Sequence, residues 1–134
     1  MALQYSVTVR NAQLDQVQTQ VGTAPLLRIY TGAVPATCAT AASGTQIASI
    51  TLPSSWMAAA SAGSKALSGT WQGAGIAAGS AGYFRIYDST GTTCHLQGTV
   101  TASGGGGDLT LDNISIANLQ IVSVATFTLS AGNA

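Results

Sequence analysis

Residues 82–88 read Gly-Tyr-Phe-Arg-Ile-Tyr-Asp. Side chains alternate across a strand, so this run sets Phe84 and Ile86 on one face and Tyr83, Arg85 and Tyr87 on the other. Phe84 and Ile86 are core candidates. The same alternation in 26–31 sets Leu27 and Ile29 inside and Arg28 and Tyr30 outside, and in 93–101 it turns Leu96 and Val100 away from His95 and Gln97. Strands are predicted at 26–31, 46–52, 65–71, 82–88, 93–101, 108–112 and 120–129, with Gly, Ser, Thr or Pro between them. Each offers an apolar face that another sheet must cover, so the expected fold is all-β, a jelly-roll-like antiparallel β-sandwich. In the last strand Phe127 and Leu129 choose one face and Val122 and Val124 the other, the pattern of a central strand or a subunit contact.

Ahead of the strands the period changes. Leu14, Val17 and Val21 recur at helical spacing among Gln, Asn and Asp, and Gly22 and Pro25 end the run. This predicts a short amphipathic helix over 8–21 that covers one end of the sandwich or docks on a partner. The expected organisation is a helical segment, 1–22, and a β-sandwich domain, 23–134. Ser54 and Ser55 can cap a helical turn anchored by Trp56, and Gly104 to Gly107 form a linker or hairpin turn.

Charge is scarce. Four Lys or Arg and four Asp make 6% charged residues with net charge zero, where a soluble domain carries about a quarter. A neutral surface of Ser, Thr, Asn, Gln and Gly tends to associate, which points to assembly. The start lacks a basic n-region and an apolar h-region, so folding in a cytoplasm is expected. No apolar run reaches the ~18 residues of a transmembrane span, so no membrane role is expected.

Catalytic constellations fail on geometry. Asp108 and Asp112 share a strand face but lie four steps apart, roughly 13 Å, too far to share a proton or metal. His95 neighbours Cys94, yet successive strand residues point oppositely, which places Cys94 inward and His95 outward and disfavours a thiol–imidazole dyad. Gly104 to Asp108 lacks the Lys-Ser or Lys-Thr of a phosphate loop. Arg10, Arg28, Lys65 and Arg85 are scattered and offset by four Asp, unlike a nucleic-acid surface. The expectation is no enzyme, no cofactor, no metal and no nucleic-acid partner.

Leu27-Arg-Ile-Tyr30 followed by Thr37-Cys38 echoes Phe84-Arg-Ile-Tyr87 followed by Thr93-Cys94. Chance recurrence of a good strand pattern accounts for this more simply than duplication. Cys38 and Cys94 are expected as buried free thiols; adjacency of the two Arg-Ile-Tyr strands would favour a bridge.

The run Leu26-Leu-Arg-Ile-Tyr-Thr-Gly-Ala-Val-Pro-Ala-Thr-Cys38 is joined by Ile50-Thr-Leu-Pro53, Gly82-Tyr-Phe-Arg-Ile-Tyr-Asp88 and Thr93-Cys-His-Leu-Gln-Gly-Thr-Val100. With Gly105-Gly-Gly-Asp-Leu-Thr-Leu-Asp-Asn113 and Ala131-Gly-Asn-Ala134, these resemble small tailed-phage and prophage virion proteins over nearly all the chain after residue 22. That group is similar to capsid cement, or decoration, proteins. The resemblance implies a jelly-roll subunit on the capsid surface of the virion, a major capsid protein as partner, and a homo-oligomer, dimer or trimer. It carries over no catalytic residue. Arg and Tyr are enriched in interfaces, so Arg28, Tyr30, Arg85 and Tyr87, with Val122 and Val124, are the candidate protein-interface residues. The alternative is a tail or fibre module binding a host receptor or glycan, with Trp56 and Trp71 stacking on sugars; both tryptophans also suit a core.

Overall fold

A computed structural model describes residues 3–131. The outermost residues of the two expected segments, 1–2 and 132–134, therefore lie outside the described residues. The fold is all-β with one short N-terminal helix, α1 (Val7–Val21). Ser6 caps α1, its hydroxyl accepting from Val9 N at 3.2 Å, and Gly22 ends it at φ +90°. Leu14 and Val21 are buried and Val17 packs against the core, so the predicted stripe faces the sandwich.

Five strands form the main sheet: β1 (Leu26–Tyr30), β2 (Gln46–Thr51), β6 (Tyr83–Tyr87), β7 (Cys94–Ala102) and β8 (Leu109–Leu111), in the order β2-β1-β6-β7-β8. Three ribbons complete the fold: β4 (Trp71–Ala74) with β10 (Ile121–Val124), β3 (Ser64–Ala66) with β11 (Thr128–Ser130), and β5 (Gly79–Ser80) with β9 (Ser115–Ile116). The β4–β10 ribbon closes a curl. On one side a bridge joins Ala48 of β2 to Gly75, and on the other β10 lies beside β8.

Register confirms the alternation. Leu27 opposes Ile50 and Ile86, Ile29 opposes Ala48 and Phe84, and Ile86 opposes Leu96. All but the half-buried Leu96 are buried, and all face a core closed by Trp56, Trp71 and Phe127. Trp71 is the hub: its ring lies 5.9 Å from Trp56 and 5.4 Å from Phe127, and Phe127 meets Phe84 edge-on at 5.7 Å. Its indole N–H donates to Trp56 O and Ser68 O.

Four expectations need correction. The 65–71 and 120–129 segments each hold parts of two strands, because the chain leaves its ladder at 67–70 and 125–127 and the alternation restarts beyond. Ser54 and Ser55 make a turn that leads to an isolated bridge at Met57, not a helical turn. The Gly104–Gly107 stretch is no hairpin: β8 runs parallel to β7, Val100 opposite Leu109. Returning the chain over so few residues puts Gly104 and Gly106 at φ +86° and +81°, and a Cβ on Gly105 or Gly107 would lie 2.8 Å from Thr101.

Ionic contacts fasten α1. Lys65, buried on β3, donates to Asp15 Oδ1 at 2.7 Å and to Ala58 O at 2.8 Å. The hydrogen bond from Lys65, with that from Ala60 N, holds the Asp15 carboxyl below the usual carboxylate range.

Candidate functional site

The second face of the main sheet holds the predicted interface residues. Arg28 and Arg85 oppose each other directly, so the echoed strands are antiparallel neighbours, with Leu27 opposite Ile86 and Ile29 opposite Phe84. Tyr30 stacks on Tyr83 with centroids 5.0 Å apart and planes 9° apart, and the Arg28 guanidinium lies 4.7 Å over the Tyr87 ring.

This face is not a free surface. Arg85 is 2% exposed, Tyr30 and Tyr87 are buried, and Arg28 is half-buried. Residues 31–45 fold back over Arg85 and Tyr83 as a strap and Arg28 donates to Gly91 O in the β6–β7 turn, so the expectation that these four side chains point to solvent is corrected. Arg85 Nη2 donates to Thr37 O at 3.1 Å and Thr40 O at 2.6 Å, and its Nε donates to Gln97 Oε1 at 3.2 Å. Gln97 Nε2 donates to Pro35 O at 2.7 Å, and Tyr83 and Ser43 exchange two hydrogen bonds, at 2.6 and 3.0 Å. The buried cation is thus solvated by carbonyl, amide and phenol oxygens. Burial, with a hydrogen bond to Tyr87, pushes the Tyr30 phenol up to about 12.

Val122 and Val124 are also corrected. Both are core residues, because β10 ends at Val124 and its alternation leaves Ile121 and Ser123 outside. Cys94 lies on the strap side of the sheet: a bulge between Ile86 and Tyr87 pairs Cys94 with Tyr87. Its Sγ is 2.7 Å from Cys38 Sγ in the strap, while His95 lines a groove with Gln13, Gln16 and Val17 of α1. Asp108 accepts from Thr99 N at 3.0 Å and Thr99 Oγ1 at 3.2 Å, bracing the parallel return. Asp88 closes the β6–β7 hairpin, where Thr92 N foremost, with Thr90 Oγ1 and Thr93 N, lowers its carboxyl pKa. Among the described residues no three His, Cys or Asp side chains gather as a metal site.

A different surface was missed by alternation. Leu119, Ile121 and Ile76 are 77%, 58% and 51% exposed. Hydrogen bonds from Leu119 N to Gly75 O and from Gly75 N to Gln120 O hold their two segments side by side. Leu119 has φ +67°, inside a turn closed by Gln120 N on Ala117 O. The left-handed region costs a branched residue about 1–2 kcal/mol, and glycine or asparagine normally occupies it. The sequence signal was faint: one leucine in Ala117-Asn-Leu-Gln120, where Asn118 already marks a turn.

No protein-family model, curated protein or solved structure matches the chain.

Proposed function

We propose that this chain is a structural subunit of a tailed-phage virion, a capsid decoration or cement protein that binds the outside of the head and stabilises contacts between major capsid proteins. The observation that carries the assembly role is Leu119, strained and solvent-exposed beside Ile76 and Ile121. The exposed apolar area of Leu119 is covered by nothing in the described chain, and backbone outliers of this kind concentrate where function requires them. The near absence of charge supports the same reading. The head as destination rests on the family resemblance of the sequence.

Contacts that exist only in the assembled shell stabilise it by mass action. Three apolar side chains fall short of the ~800 Å² per partner of a stable pairwise interface. Repetition over a closed shell supplies the rest through multivalency. The tail or fibre reading has less support, because the indoles of Trp56 and Trp71 that would stack on sugars belong to the core.

The test is co-sedimentation with undecorated heads of the phage or prophage that encodes the chain. Wild type is expected to saturate at fixed stoichiometry and raise the melting temperature of the heads. Leu119→Gly relieves the left-handed strain, so the isolated variant should melt about 3–4 °C higher, near 1 kcal/mol, while its head occupancy falls several-fold. Unchanged occupancy of L119G removes the patch from the interface. Glycan binding without head binding would transfer the protein to the tail.

A further inference from the structure

We infer that Cys38 and Cys94 form a dithiol modification site, which a small-molecule disulfide converts to an intrachain cystine that locks the 31–45 strap over the polar face of the sheet. This stands apart from the assembly reading and draws on different residues.

The fold brings the two sulfurs together without a covalent bond between them. β1 and β6 run antiparallel, so the strap leaves at the Tyr30 end while Cys94, opposite Tyr87, lies toward the Leu26 end, and Cys38 reaches it because the strap runs back across the sheet. The strap is then positioned by contacts that involve no sulfur: Arg85 on Thr37 O and Thr40 O, Gln97 on Pro35 O, and Tyr83 on Ser43. Two of these acceptors, Pro35 and Thr37, precede Cys38 and two, Thr40 and Ser43, follow it. The sulfurs meet at 2.7 Å as a result, with both cysteines free and half-buried.

The chemistry is two successive exchanges. Cys94 donates its S–H to Cys38, and burial foremost, with that hydrogen bond, pushes the Cys94 thiol up to about 12. Cys94 is the donor in this contact, which leaves Cys38 as the sulfur that makes the first attack. It opens the disulfide of oxidised glutathione, or a similar dialkyl disulfide, giving a mixed disulfide on Cys38 and one released thiol. The Cys94 thiol then gives up its proton to solvent, its thiolate attacks the Cys38 sulfur, and the second reagent sulfur departs as a thiolate that takes up a proton. The protein loses two hydrogens and two electrons, and the reagent becomes two thiols.

The cystine closes a loop across a sequence separation of 56 residues, which restrains the unfolded chain strongly. For a loop of this length the melting temperature is expected to rise by about 10–15 °C.

The experiment takes the full chain, native, through a series of oxidised-to-reduced glutathione ratios. Free thiols are counted by alkylation and mass spectrometry, linked peptides mapped, and melting followed at each ratio. The expected result is a monomer lighter by two hydrogens, a Cys38–Cys94 peptide, and a melting rise that a reductant reverses and that Cys38→Ser lacks. A stable glutathione adduct without the linked peptide, an interchain dimer, two free thiols at the most oxidising ratio, or a bridge formed only in denatured protein would each overturn the inference. Because the decisive readout is on wild type, the proposal does not depend on how well Cys38→Ser folds.

Discussion

The main sheet buries both of its faces by opposite means. One face, Leu27, Ile29, Phe84 and Ile86, is covered by apolar side chains gathered around Trp71. The other, Arg28, Tyr30, Tyr83, Arg85 and Tyr87, is covered largely by main chain, with carbonyls of the strap accepting from the sheet. Apolar packing is non-directional and tolerates many solutions, whereas the strap depends on a few oriented hydrogen bonds whose net worth is about 1 kcal/mol each. The difference teaches that an outward strand face is defined by its polarity, not by its exposure.

The sharpest break of this contrast is Trp71→Ala. It empties the hub of the apolar face and is expected to cost about 3–5 kcal/mol, read from denaturant midpoints, with hydrogen exchange accelerated throughout the sheet. Arg85→Met acts on the other face. It strands the Thr37 and Thr40 carbonyls but also removes a buried charge, so the expected cost is smaller, about 2 kcal/mol. Exchange should accelerate in residues 31–45 ahead of the sheet; uniform acceleration would show that the two faces are one cooperative unit.

The gentlest probe is alkali. Tyr30 rises from 10.0 to about 12 and Cys94 from 9.0 to about 12 on folding. Between these limits the unfolded chain has released protons that the folded chain retains, so stability falls as pH rises. It is complete below pH 9 as far as these groups are concerned. The loss is expected between about pH 9 and 12, by melting at stepped pH, and Tyr30→Phe should flatten its upper part.

Face assignment was legible because alternation is a local property: Leu27, Ile29, Phe84 and Ile86 are where period two puts them. The helix was legible for the same reason, from Leu14, Val17 and Val21. What covers a face is decided by distant chain, and nothing in Gly32-Ala-Val-Pro-Ala36 distinguishes a strap from a linker. The misplacement of Val122 and Val124 came from carrying one alternation through the break between strands at 125–127. The parallel course of β8 depends on Thr101 and four glycines that read equally as a hairpin. Leu119 escaped because its φ, not its identity, makes it unusual.

The strap also imposes an order in time. Ser43 waits for Tyr83, Thr40 for Arg85 and Pro35 for Gln97, partners 40, 45 and 62 residues downstream. At roughly 5–20 residues per second a ribosome needs about 3–12 s to span the longest of these gaps. Throughout that interval the nascent strap, with Cys38 in it, has left the synthesis machinery ahead of the strands it will cover. Non-local closure of this kind follows strand pairing, so the strap is among the last parts of the molecule to settle.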